Sequence, residues 1–420
     1  MNLFAIRTLQ ARSWYGVAIS MALLALATWL GYHDFTSGAW LSLVAGFVGL
    51  GREAWSLARA ARAPSLIVVE RQDSFVDQLL ERVVPSPGEV DDGHVVTRVP
   101  HLREAVVRST AVDRWLRTHA LSMVEDTGKR QEVDARLRGH APALETLLRC
   151  HARQSLRSVP PRVLVNETKL GLSDGVSPSR SMVRVHQVGY FHSLLTNEAS
   201  TRCLETLHED PEIVFSGCDQ LFPLASRDGP SWPLLPLAQS RMADHIGIST
   251  LVVTRDHKLV LWTQGSNAQH SRQQLVSTGS GSCDWDDRTG DDLKATLVRA
   301  MEREFVEESL GGGTAPEFQR ETRVLGFFRW LTRGAKPEFT GITWVDLDAH
   351  SLRPNISEVT RRHRAQLCHD VGTMERLRLV LDNLLQNQQG SVSFWANVLA
   401  VREAINEAPE EMRSFLRLPG

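Results

Sequence analysis

Two long stretches without a charged residue stand within the first sixty positions, and nothing comparable follows them. The first runs from Trp14 to Tyr32 and the second from Phe35 to Gly51, with only His33 and Asp34 between them. At about 1.5 Å per helical residue the first would reach roughly 28 Å, close to the hydrocarbon thickness of a bilayer. The second is slightly shorter and extends through its helical continuation, so the pair reads as a tight transmembrane hairpin. Arg7 and Arg12 precede it, Arg52, Arg59 and Arg62 follow it, and the turn carries no lysine or arginine. That asymmetry places both ends on the cytoplasmic side of the membrane. A secretory signal is the competing reading, but the first stretch is too long for one and no small-residue cleavage site follows. Ser42 with Gly46 and Ala45 with Gly49 are small-residue pairs that serve either the hairpin itself or self-association into a homo-oligomer.

Taken whole, the chain has the makings of an ordinary folded protein: 420 residues, 42% hydrophobic and 23% charged. A formal net charge of -2 leaves no basic excess to neutralise a duplex backbone, which argues against bulk nucleic-acid binding. Five widely spaced cysteines without a CxxC pair argue against a disulfide framework and a structural zinc site. A reducing cytosol suits the chain beyond the hairpin.

Residues 63–161 read as a helical connecting region. Ser74–Val84, Leu102–Asp126 and Arg136–Leu156 each space apolar residues three and four apart, and Pro160-Pro161 mark a boundary. Strand-like segments follow at 162–165 and 182–188. Residues 248–253 and 259–264 are joined by Arg255-Asp256-His257 as a hairpin. A helix over about 292–310, strands over 323–331 and 339–348, and helices near 374–387 and 393–407 complete an α+β domain. The predicted organisation is a hairpin over 1–62, a helical connection over 63–161, and a domain over 162–420 with its core at about 240–350.

The most informative string is Arg303-Glu304-Phe305-Val306-Glu307-Glu308. Its glutamates fall three and four apart, so their carboxylates lie on one helical face and can converge on a divalent cation. Glu304 and Glu308 share the sector of Leu293, Leu297 and Met301, the face the helix would bury, whereas a solvated charge run belongs opposite it. Upstream, Ser277-Thr278-Gly279-Ser280-Gly281-Ser282 reads either as a loop whose amides and hydroxyls line a phosphate or as a plain flexible connection. Asp284, Asp286 and Asp287 either add oxygens to a cation site or form a solvated acidic turn. The segment from His186 to His192, with Thr196, Asn197 and Glu198 after it, offers Tyr190 and Asn197 to a base, though core packing and a helix cap explain the same residues. No dinucleotide-binding, Walker, GxSxG or HExxH motif occurs.

The Arg303–Glu308 string resembles the core of the Nudix box, G-x5-E-x7-R-E-U-x-E-E-x-G-U with U aliphatic. Aligned on Arg303, the box would place an acid at Ala295 and glycines at Thr289 and Leu310, while Gly290 and Gly311 stand one residue away. The resemblance implies that Glu304, Glu307 and Glu308 hold Mg2+ and that Arg303 fixes them by an ion pair. A pocket with the box incomplete is expected to bind a phosphate-linked nucleotide without hydrolysing it. The domain order, a two-span hairpin followed by a Nudix-like α/β/α domain, resembles the transmembrane Nudix-like effectors of CBASS, bacterial anti-phage systems that signal with cyclic oligonucleotides. That resemblance covers residues 10–60 and 240–350. It implies a membrane-anchored sensor that receives a cyclic oligonucleotide from a partner nucleotidyltransferase, with Gly279, Ser280, Gly281, Ser282, Arg303, Tyr190 and Asn197 as ligand contacts. The sensor would then assemble and disrupt the lipid bilayer of the bacterial inner membrane. The alternatives are a tethered magnesium-dependent Nudix hydrolase of a nucleoside-diphosphate-linked substrate and a membrane-anchored protein scaffold.

Overall fold

The β-branched runs on either side of Arg255-Asp256-His257 form the expected antiparallel hairpin, and His257 takes a left-handed backbone (φ 56°) to close it. This hairpin is the centre of a nine-stranded sheet. The computed structural model describes residues 66–69, 72–157, 165–206, 212–264, 274–311, 317–354 and 367–419.

The strands of the central sheet are β1 Val95–Arg98, β2 Ala105–Arg108, β3 Gly247–Thr254, β4 Lys258–Thr263, β5 Leu275–Val276, β6 Gly279–Ser282, β7 Arg320–Trp330, β8 Lys336–Val345 and β9 Leu367–Asp370. Their order is β5–β4–β3–β8–β7–β2–β1, with β6 also paired to β3 and β9 to β4. The β3–β8 pair is parallel and the other pairings are antiparallel. β3 and β8 are buried at every position, as strands covered on both faces must be.

The helices that concern the site are α1 Thr110–Thr118, α2 Lys129–Gly139, α3 Leu293–Ser309, α4 Met374–Leu385, α5 Val392–Glu407 and α6 Pro409–Phe415. On one face of the sheet Leu251, Val253, Ile342 and Trp344 pack with Leu377, Leu381, Phe394, Val401 and Phe415 of α4 to α6. On the other, Leu293, Leu297 and Met301 of α3 pack with Ile248 and Phe339, and Phe305 with Val252 and Val260. Burying these side chains is the main favourable term holding the layers together.

The expected architecture of a membrane hairpin, a helical connection and a separate Nudix-like domain is corrected here. The fold is mixed α/β with several sheets, and among the described residues no helix is long and apolar enough to cross a membrane. The two apolar stretches lie in residues 1–65, outside the described residues, as does the Pro160-Pro161 boundary. Nor is 63–161 a helical connection. Its Ala105–Arg108 segment is a strand buried at all four positions that pairs with β7, and Val95–Arg98 extends the sheet beyond it. Adjacent valines satisfy a helical and a strand period equally, and Ser109 decides between them. It ends the strand, and its Oγ accepts the Val112 N–H to start α1. Ser122–Glu125, read as the end of the same helix, runs parallel to Met182–Gly189 in a separate three-stranded sheet.

A buried ion pair fixes the same region to the core. Arg329 of β7 has a fully buried side chain and donates from Nη1 to Glu89 at 2.7 Å and from Nε to the Ala335 carbonyl at 3.1 Å. Glu89 lies in the short helix Pro87–Asp91 and also accepts the Ser86 N–H.

Candidate functional site

α3 starts where the Asp292 carboxylate accepts the Ala295 N–H, and the apolar spacing after it turns Glu304 and Glu308 toward the sheet. Glu308 is buried, the Glu304 side chain is 12% exposed, and that of Glu307 is 54% exposed. The serine–glycine run expected as a loop is strand β6, in register with β3 from Gly247↔Ser282 to Thr250↔Gly279. Its glycines answer a close approach of α3: a Cβ on Gly279 would stand 2.9 Å from the Phe305 backbone nitrogen. The Ser280 N–H donates to Glu308 Oε2 at 2.9 Å, so this amide serves the helix.

Arg303 is the hub of the cluster. Its Nε and Nη2 each donate to Asp287 at 2.9 Å, Nη1 donates to Glu304 at 2.9 Å and Glu307 at 3.1 Å, and Nη2 also reaches the Ser282 carbonyl at 2.9 Å. The fork of donors on a planar guanidinium suits it to this bidentate pairing. Asp287 is buried, and it also accepts the Asp284 N–H at 2.8 Å, which pins the turn after β6. Lys169 adds a second cation, its Nζ 2.5 Å from Asp284 and 2.7 Å from Glu167.

Burial pushes the Glu304 carboxyl up to about 7, opposed by the Arg303 charge and reinforced by that of Glu307. For Arg303 burial works against the charge, but hydrogen bonding to Asp287 and the charges of Glu304 and Asp284 outweigh it and hold the guanidinium above its ordinary range. Lys169 is likewise raised, against its burial, by Asp284 and Glu167.

The structure therefore gathers Gly279, Ser280, Gly281, Ser282, Arg303, Glu304, Glu307 and Glu308 into one cluster. As arranged, these carboxylates are engaged by Arg303 and Ser280 rather than turned to a common point. Among the described residues no group of three or more His, Cys, Asp or Glu side chains is placed to hold a metal ion. The glutamates in this arrangement do not fit a Mg2+ cage.

Tyr190 and Asn197 sit elsewhere. Asn197 is fully buried and folds back on Asp244, donating from Nδ2 to its carboxylate at 2.9 Å and accepting its N–H at 3.0 Å. A side-chain helix cap at this position is not formed. Tyr190 packs on Phe191, and burial pushes its hydroxyl up to about 12, with Glu198 adding and Arg333 opposing. Two members of the cluster escape a reading by spacing. Asp287, which spacing offers either to a cation site or to a solvated acidic turn, is instead buried on Arg303, and Lys169 is separated from its partner Asp284 by more than a hundred positions. The only signal for Lys169 is its scarcity, as one of five lysines in the sequence.

No protein-family model matches this chain, and no curated protein is detectably similar to it. Among solved structures, the crystal structure of DR0079 from Deinococcus radiodurans is similar at 11% identity, over 37% of this chain and 81% of that one, with a TM-score of 0.25. A likeness that weak carries no argument about fold or function.

Proposed function

We propose that the described body is a binding domain for a phosphate-linked nucleotide and does not hydrolyse it, the ligand being a cyclic oligonucleotide supplied by a partner nucleotidyltransferase. The nature of the ligand follows from the resemblance of the Arg303–Glu308 string to the box of the Nudix-like CBASS effectors. The single observation that favours binding over turnover is the commitment of Arg303: its donors are spent on Asp287, Glu304, Glu307 and the Ser282 carbonyl. Metal-assisted hydrolysis asks carboxylates to turn together on a cation that activates water. Here Glu308 holds the helix to strand β6, and Glu304 and Glu307 are paired with Arg303 of their own helix instead. A domain of this kind converts binding into a signal only if the ligand prefers one arrangement of the protein over another.

The test is calorimetric titration of the full-length protein with cyclic di- and trinucleotides and with ADP-ribose, each with and without Mg2+, followed by chromatography of the recovered ligand. Saturable binding of a cyclic nucleotide that is recovered intact is the expected result. Magnesium-dependent cleavage of ADP-ribose or of another pyrophosphate would replace this reading with that of a Nudix-type hydrolase.

A further inference from the structure

A cavity of about 920 Å3 opens beside α2, and no residue of the acidic helix lines it. One wall is α2 and the residue after it, with Glu132, Arg136 and His140; the other is the segment from Leu235 to Arg241, with Gln220 between them. Its size lies in the range of small-molecule sites, about 300–1,000 Å3.

The walls are fixed by the protein's own bonds. Lys129, buried at the start of α2, donates from Nζ to the carbonyls of Leu237 and Ser240 and so ties the Leu235–Arg241 segment to the helix. Arg136 donates from Nη2 to the carbonyls of Gln220 and Leu221 at 2.8 Å each. Among the described residues Arg136 makes no other hydrogen bond, Arg241 makes none, and neither guanidinium forms an ion pair. The acid on the lining, Glu132, is 3.8 Å from Lys129. Two like charges thus face one space. Burial and the charge of Arg241 hold the Arg136 guanidinium below its ordinary value, against a weaker pull from Asp244. Burial and Arg136 also lower His140, which leaves a neutral imidazole that can donate or accept.

We infer that this cavity is a binding site for a phosphate-bearing small molecule, whose oxyanion is received by Arg136 and Arg241. An anion there would relieve the repulsion between the two guanidiniums and would use charge-assisted hydrogen bonds, the stronger class. His140 and the amides of Gln220 and Gln239 line the remainder and offer donors and acceptors to a sugar or base. The inference involves different residues from the acidic cluster and stands without the reading given above.

The test is calorimetric titration of the full-length protein with inorganic pyrophosphate, ADP and citrate, repeated for Arg241→Gln and Arg241→Lys. Arg241 is exposed and unpaired, so both variants are expected to unfold at the same temperature as the parent. Saturable binding of ADP and pyrophosphate, weakened about tenfold or more by Arg241→Gln and less by Arg241→Lys, is the expected result. Three results would each overturn the inference: no saturable binding of either phosphate compound, equal affinity in Arg241→Gln and the parent, or citrate binding as tightly as pyrophosphate. None of them bears on whether a cyclic oligonucleotide is bound and left intact.

Discussion

The Glu304 carboxyl lies against the backbone of Gly281, so close that a Cβ on Gly281 would overlap its carboxyl carbon and both oxygens. Gly281 is in strand β6 and Glu304 in helix α3, and Arg303 holds the carboxylate in place from the other side. Gly281 is itself exposed, so Gly281→Ala is expected to cost no more than about 1 kcal/mol, the work of displacing a carboxylate that Arg303 holds. Urea unfolding measures it. Glu304→Ala should relieve the clash, so the double variant should lose less than the two single losses summed. A simple sum would show that Glu304 can turn away freely.

Arg303→Lys tests whether the fork of donors or only the charge matters. A lysine can neither grip Asp287 with two parallel bonds nor reach Glu304, Glu307 and Ser282 at once. Asp287 would be left buried with its Asp284 amide as the remaining partner. The expected loss is roughly 1–3 kcal/mol, since the positive charge stays but several hydrogen bonds to charged partners are lost, and Arg303 itself is only partly shielded. A denaturation midpoint within error of the parent would reduce Arg303 to a surface charge.

Some of this arrangement is written in the local sequence. Alternation and β-branching identify β3 and β4, helical spacing identifies α3, α4 and α5, and the glutamate spacing puts Glu304 and Glu308 on the buried face. The Leu102–Asp126 segment misleads because Val106 and Val107 fit a helix as well as a strand, and what selects the strand is pairing with Phe328, Arg329 and Trp330 more than two hundred positions away. The serine–glycine run misleads for a related reason. Glycine usually loosens a chain, but Gly279 and Gly281 are small because α3 presses on them, and only the packed structure reveals that.

Glu89 offers a direct measure of how firmly residues 72–125 belong to the folded body. It is the carboxylate partner of Arg329, whose side chain has no exposure to water. Glu89→Ala would strand a guanidinium in the core, for which a loss of about 3–5 kcal/mol is expected. In a mere connection between domains the same change would cost almost nothing. Chemical unfolding with two probes, tryptophan fluorescence and far-ultraviolet circular dichroism, should give one coincident transition at a lowered midpoint. A parent-like midpoint would return this segment to the status of a linker.

His186 sets an acid limit on stability. Its Nε2–H donates to the Ala243 carbonyl at 3.0 Å and its Nδ1 accepts the Ser173 hydroxyl at 2.8 Å, which selects the neutral tautomer. Burial, reinforced by the charge of Lys129, lowers the imidazole from its ordinary 6.5 to about 4. Between those values the unfolded chain binds a proton that the folded chain refuses, so stability rises with pH across the window and falls on acidification. The contribution is complete above about pH 6.5, is lost below about pH 4, and amounts to roughly 3 kcal/mol over the full interval. Burial also lowers His94 and His245, which is why the informative quantity is the difference between the parent and His186→Gln. The glutamine variant is expected to be less stable at pH 7.5 but to lose less on going to pH 5, read as urea midpoints at the two pH values. Equal acid losses in the two proteins would mean that the His186 ring becomes protonated without leaving its site.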